Sequence, residues 1–308
     1  MPNDDADRTA APGARALYDA GTTRLRHGDP AGALADLDRS LAAEDAFAPA
    51  WVNRGIALAD LGRADEARAA FDRGLALDAE LVPGWRCRAI LRARQGDQDG
   101  AIEDYARVTV LRPGDHGAHR ELGDALAALP PDGHVDERPD GRLRQAVAAY
   151  DRALALDDGD AGAWAGKARV LAVLAHAAQS VERASRVAGI APWVSFPAAH
   201  QELSRHLDAA VARFPETAWF RHERALAYRQ VGDAAGEITQ LRAACELNPD
   251  SGAGHFELAR AYAADGQRQQ ARRSFDAAVE RDPALRGRAA DVLGEDAAAR
   301  DGMDGMER

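Results

Sequence analysis

One interval governs this chain. Trp51 and Trp85 stand 34 residues apart, as do Gly28, Gly62 and Gly96, and likewise Ala33, Ala67 and Ala101. Toward the other end Pro215, Pro249 and Pro283 keep the same step, and so do Gly232 and Gly266. A fixed period of this length marks a stack of small similar units, because such a unit buries its apolar face only against its neighbours. In this register the chain divides into seven units: 14–47, 48–81, 82–115, 116–160, 161–217, 218–251 and 252–285. The fourth carries 11 extra residues, placed in a loop over 130–141, and the fifth carries 23, placed at about 176–198.

The columns of the register carry physical meaning. The eighth position reads Gly21, Gly55, Ala89, Gly123, Ala168, Ala225 and Ala259, always small. The twenty-fourth reads Leu37, Phe71, Tyr105, Tyr150, Leu207, Leu241 and Phe275, always large and apolar. Small residues let two helices approach closely, and each large one is expected to fill the space between its own helix pair and the next. The turn inside each unit is written out in "LRHGDPAGAL": Gly28 suits the left-handed position after a helix, Asp29 the N-cap and Pro30 the first helical position. Abundant Ala and few aromatics agree with an all-α chain.

Composition excludes several classes. No apolar run is long enough to span a membrane, and the acidic start "MPNDDADRTAAPGA" lacks the apolar region of a secretory signal. A formal charge of -11 argues against general nucleic-acid binding, which needs a basic surface. Cys87 and Cys245 are too few for a disulfide framework or a zinc site, which points to a reducing cytoplasm. Lys167 is the only lysine among 39 basic residues, a bias that suggests high-GC coding and hints at a bacterial source.

These columns resemble the tetratricopeptide repeat. "WVNRGIALADLGRADEARAAFDRGLALD" carries that family's Trp, Gly, Ala, Phe and "LALD" landmarks in order, and the resemblance covers 14–285. It implies a right-handed α-solenoid of about seven helix pairs, whose first helices line a concave groove that binds a peptide or a partner protein. In the fifth and sixth units Leu203 and Glu237 take the place of the small residue of the second helix, and Glu237 is expected to loosen its surroundings. After 285 the chain is expected to form a capping helix over 286–299, with Leu285, Ala289 and Val292–Leu293 facing inward. Residues 1–13 and 300–308 are expected to fray.

In the repeat frame the groove candidates are Arg15, Tyr18 and Thr22; Val52, Asn53 and Ile56; Arg86, Ile90 and Arg94; Arg120 and Asp124; and Arg169. Arginine outnumbers carboxylate in this set, so two readings stand: the guanidinium groups grip an acidic segment, or they pair with neighbouring acids. A subfamily of such repeats clamps chaperone C-termini with Lys and Asn side chains; here Tyr18, Thr22, Asn53, Pro83 and Cys87 fill those places, one match in five.

The fifth unit holds the other departure. Leu171, Leu174, Ala178, Val181, Ala184 and Val187–Ala188 keep helical spacing, so its first helix is expected to overhang to about Ala188. The return segment "GIAPWVSFPAAH" carries Trp193 and Phe196, which either fold onto the overhang, covering Val181, Ala184 and Val187, or contact a partner.

Signs of chemistry are few. His116 and His119 sit at a metal-ligating spacing, but His119 and His255 stand in the column of Trp51 and Trp85, where packing is the expected role. No metal-protease motif, calcium loop or phosphate loop is present. The sequence therefore reads as an interaction scaffold or adaptor without enzymatic activity, cofactor or metal. Its expected partner is a protein or peptide, not nucleic acid or membrane. A peptide-responsive regulator is the alternative, and a metal-dependent enzyme the least favoured reading. The oligomeric state is left open.

Overall fold

The computed structural model describes residues 12–128, 140–189 and 195–294, and every element among them is helical. The tail before residue 12, nearly all of the 130–141 insertion, Trp193, and everything after 294 fall outside the described residues. The helices are α1 (Pro12–Arg26), α2 (Pro30–Ala43), α3 (Ala48–Asp60), α4 (Ala64–Leu77), α5 (Val82–Arg94), α6 (Gln98–Leu111), α7 (His116–Ala127) and α8 (Asp140–Leu156). There follow α9 (Ala161–Ala188), α10 (Phe196–Arg213), α11 (Ala218–Val231), α12 (Ala234–Leu247), α13 (Gly252–Ala264), α14 (Arg268–Arg281) and a final turn α15 (Ala290–Leu293).

The chain divides within α9 into two compact units, Met1–Gly166 and Lys167–Arg308. In the first, α1 pairs with α2, α3 with α4, α5 with α6 and α7 with α8, and each hairpin packs on the next through α2–α3, α4–α5 and α6–α7. In the second, α10 packs on α11, α11 pairs with α12, α12 packs on α13, and α13 pairs with α14.

The hairpin turns follow from their sequence. Gly28, Gly62, Gly96, Gly232 and Gly266 all adopt positive φ, between 73° and 83°. At Gly28 the amide bonds back to the Leu25 carbonyl and the next amide, of Asp29, to that of Arg24, which satisfies the carbonyls left open at the helix end. Asp29, Asp97 and Asp233 then cap the following helix, accepting from the amides of Gly32, Gly100 and Gly236 at 2.9, 3.0 and 2.9 Å.

Inside each hairpin the large column seats on the small one. Leu37, Phe71, Tyr150, Leu207, Leu241 and Phe275 are buried, and Tyr105 nearly so. A Cβ on Gly55 would lie 2.5 Å from the Phe71 ring, and one on Gly123 2.8 Å from Tyr150. The Tyr150 ring also lies against Gly166 of the following hairpin, where an added Cβ would stand 2.5 Å away. The knob thus fills the gap between its own pair and the next.

Two further contacts recur with the repeat. The fourth-position side chain reaches back to the carbonyl six residues earlier: Trp51 to Asp45, Trp85 to Ala79, His119 to Pro113, Trp164 to Asp158, Arg221 to Pro215 and His255 to Pro249. Arg54, Arg88 and Arg224 each donate, at 2.6 Å, to a carboxylate sixteen residues earlier on the preceding hairpin: Asp38, Asp72 and Asp208. Arg88 also makes a bidentate pair with the buried Asp104. These bonds fasten adjacent hairpins where a smooth apolar interface would let them slide.

The departures resolve individually. Leu203 is buried, and Glu237 loosens nothing: it is buried and ion-paired to Arg229 at 2.6 Å, and Arg229 also holds Glu257 of the next hairpin at 2.8 Å. At the end, Pro283–Arg288 forms a 3-10 turn before α15, and Ala289 and Val292 are buried against Phe256 and Phe275. The Arg288 guanidinium covers the Phe256 ring at 4.3 Å. Gly294, at φ 82°, closes α15.

In α9, Leu171, Leu174, Ala175, Ala178 and Ser185 are buried, whereas Ala184 is exposed and Val187 is 91 % exposed. Trp193, on which the covering reading of the return segment depends, lies outside the described residues. At about 100° per residue Ser185 returns to the face of Leu171 and Ala178, while Val187 lies on the opposite side.

Truncating Phe71 to Ala, which is 1 % exposed, is expected to cost about 3–5 kcal/mol in urea unfolding. Gly55→Ala is expected to destabilise by about 1–3 kcal/mol through its clash with that ring, and the double variant Gly55→Ala/Phe71→Leu to recover part of the loss. Equal stability of Gly55→Ala and wild type would remove the seating argument.

Candidate interaction surface

The first helices α1, α3 and α5 lie side by side in the first unit. In the first four repeats and the last, the fifth position of the first helix meets the last position of the same repeat, where the chain enters the next element. Tyr18 packs against Phe47 with ring centroids 4.9 Å apart. Val52 and Leu81 share one buried cluster. Arg86 donates to Asp115 at 2.9 Å and to Glu121 at 2.8 Å. Arg120 donates to both oxygens of Asp160 at 3.0 and 3.1 Å. Phe256 and Leu285 repeat the apolar version in the second unit. Apolar meets apolar and arginine meets aspartate, so this column fastens the joint between hairpins.

Of the two readings of the arginine set, pairing with neighbouring acids holds for Arg86 and Arg120. Val52 is 2 % exposed, so it supports the surface from beneath and forms no part of it. Arg15 bonds Asp19 at 3.2 Å and lies over the Tyr18 ring. Asn53 donates to the Thr22 hydroxyl at 2.8 Å, tying α3 to α1. Asp124 is exposed and accepts from the Tyr150 hydroxyl at 2.7 Å. Ile56 is half-buried against the core, Ile90 is 38 % exposed, and Arg94 is exposed with no ion pair among the described residues. Arg169, in the second unit, is likewise exposed. Phe196 is half-buried and packs on the His200 ring at 5.5 Å.

Sequence reasoning missed the carboxylates. Asp115 and Asp160 are the last residues of their units and also cap the next helix, bonding the amides of Ala118 and Ala163 at 3.1 Å. Their signal was present: an arginine at the fifth position and an aspartate at the last occur in the same two units. Burial alone would push the Asp160 carboxyl up. The Ala163 amide, Arg120 and the His116 ring outweigh it and hold the group below the ordinary 3.8. Asp115 behaves alike, with Arg86 and the Ala118 amide overcoming burial.

Little here is built for reaction chemistry. His116 bonds Asp160 at 3.1 Å while His119 turns to the Pro113 carbonyl, so the two rings serve different partners. Among the described residues no group of three or more His, Cys, Asp or Glu is placed to hold a metal. Burial pushes the Cys87 and Cys245 thiols up to about 11, which keeps both protonated near neutral pH. No helix among the described residues is long and apolar enough to cross a membrane.

Hairpins on a common frame of 34 residues, joined at recurring positions, define a helical-repeat protein. Residues 18–81 and 254–284 match the tetratricopeptide repeat, so the chain carries repeats of that family. Solved structures share the fold. The C-terminal part of a repeat-containing protein from Cytophaga hutchinsonii is 11 % identical, with 86 % of this chain and 95 % of that one covered, at TM-score 0.64. A tetratricopeptide repeat protein from Parabacteroides merdae is 15 % identical, with coverage of 88 % and 94 %, at TM-score 0.53. YrrB is 14 % identical, with coverage of 70 % and 93 %, at TM-score 0.50. None of the curated proteins matches the sequence.

Asp160→Ala removes a cap and leaves Arg120 without its carboxylate; it is expected to cost about 2–3 kcal/mol in urea unfolding. A lowered carboxyl stabilises fully above its unfolded value and loses that contribution as pH falls through the folded one. As pH falls through and below the ordinary carboxyl range the wild type is therefore expected to lose more stability than Asp160→Asn, which has no proton to take up there. Parallel pH profiles of the two proteins would contradict this assignment.

Proposed function

We propose that the chain is an interaction scaffold that holds a peptide, or a segment of a partner protein, against the first helices of its repeats. The observation that best supports this is what remains once the fifth position is committed to joints. The ninth and thirteenth positions still face outward, with Ile90 38 % exposed and Arg94 a charge not engaged by any described carboxylate. Ile56 extends the apolar strip on the neighbouring helix. The Asn53–Thr22 bond holds the surface in place before anything binds, which lowers the entropy cost of association.

An acidic segment is the partner chemistry that Arg94 selects; Arg86 and Arg120 are already engaged and add little to it. YrrB, which shares the fold, is described as having an unusual peptide-binding site. The two free cysteines accord with work in a reducing cytoplasm.

Screening a displayed peptide library against the full chain tests the reading. Ile90→Glu/Arg94→Glu is expected to weaken the selected peptides about tenfold or more while leaving the urea midpoint unchanged, since both side chains are exposed. Peptides that bind wild type and double variant alike would dispose of it.

A further inference from the structure

The elongated helix α9 has two faces, and the fold uses only one. Ala175, Ala178 and Ser185 are buried, and Gln179 donates to the Gln230 carbonyl on α11 at 3.3 Å, so the overhang is anchored along that side. The other side carries Val173, 42 % exposed, then Ala177, Ser180, Ala184 and finally Val187. These follow one another at steps of four, three, four and three, the spacing of a seam onto which a second helix packs. Arg169, His176 and Arg183 flank it seven residues apart, and all three are exposed.

This face is basic within an acidic chain. The chain carries -11, yet α9 holds Lys167, Arg169, Arg183 and Arg186 against a single acid, Glu182, which is paired to Arg186 at 3.2 Å. Arg86, Arg120, Arg224 and Arg229 are all bound to carboxylates of the chain. Arg169 and Arg183 make no ion pair among the described residues.

We infer that the outward face of α9, from Arg169 to Val187, docks an acidic amphipathic helix of a partner protein. The seam from Val173 to Val187 supplies contact over about 21 Å, and the flanking guanidinium groups pair with Glu or Asp beside the partner's own seam. A second copy is the wrong occupant, because two such faces would bring like charges together. A nucleic-acid backbone makes no use of Val173 and Val187. The inference rests on reading the chain as an interaction scaffold, but it concerns residues in a different unit from Ile90 and Arg94.

Fluorescence anisotropy on the full chain provides the test. One probe is a synthetic helix of about three heptads with Leu along its seam and Glu flanking it; the other carries Lys in place of Glu. The Glu probe is expected to bind, more weakly as salt rises, and the Lys probe to stay free. Arg169→Glu/Arg183→Glu is expected to weaken the Glu probe about tenfold or more and to gain affinity for the Lys probe. Val187→Asp is expected to weaken the Glu probe with the melting temperature unchanged. Ile90→Glu/Arg94→Glu is expected to bind the Glu probe as wild type does, so that failure here and failure of the groove reading are told apart. Equal binding of both probes would falsify the docking site, as would indifference to the arginine reversals. Self-association abolished by Val187→Asp, or duplex DNA that displaces the Glu probe, would assign the face to a different occupant and overturn it too.

Discussion

A large apolar side chain seated against a small residue of the facing helix is the contact on which the rest of this protein depends. Where a side chain such as Phe71 meets Gly55, the two helices of a hairpin close to a distance that no larger residue at the eighth position would allow. That approach fixes the tilt of each hairpin and leaves the knob spanning the space to the next, as Tyr150 does between Gly123 and Gly166. A single hairpin of about thirty residues has too little apolar surface to offset the entropy of ordering it, so the stacked neighbour completes the core.

Apolar seating is non-directional, and a stack held by it alone could slip. The polar bonds that repeat with the hairpins supply direction. Fourth-position indole and imidazole groups grasp the preceding turn, and the arginines at the seventh position reach a carboxylate of the hairpin before. The fifth position joins each hairpin to the next in one of two chemistries, apolar at Tyr18 and Val52 or ionic at Arg86 and Arg120. Two of the five candidate arginines, Arg86 and Arg120, are consumed this way.

Much of the fold was legible because its determinants are local and repeated. Gly28 and Asp29 write their turn within a few residues, and the small and large columns recur often enough to set the register. The placement of His119 and His255 in the tryptophan column also carried over, since both rings make the backbone bond that Trp51 makes. The candidate surface was less legible. Val52 shares a column with Arg86, yet one is buried under its neighbours and the other tied to two acids, and only knowing what stands opposite separates the cases. Val187 was illegible for a different reason: a count of apolar residues along α9 ignores the turn of the helix, which carries that side chain outward.

The sequence by itself determined the unit, its length, its turns and which side chain each hairpin buries, because those depend on backbone preference and on residues near in the chain. The tertiary structure alone decided which charges are satisfied and which face outward. Asp160 finds Arg120 forty residues away, with an insertion between them, and Arg169 finds no carboxylate among the described residues. An ion pair is settled by where two side-chain ends meet in space, and no periodicity along the chain records that meeting.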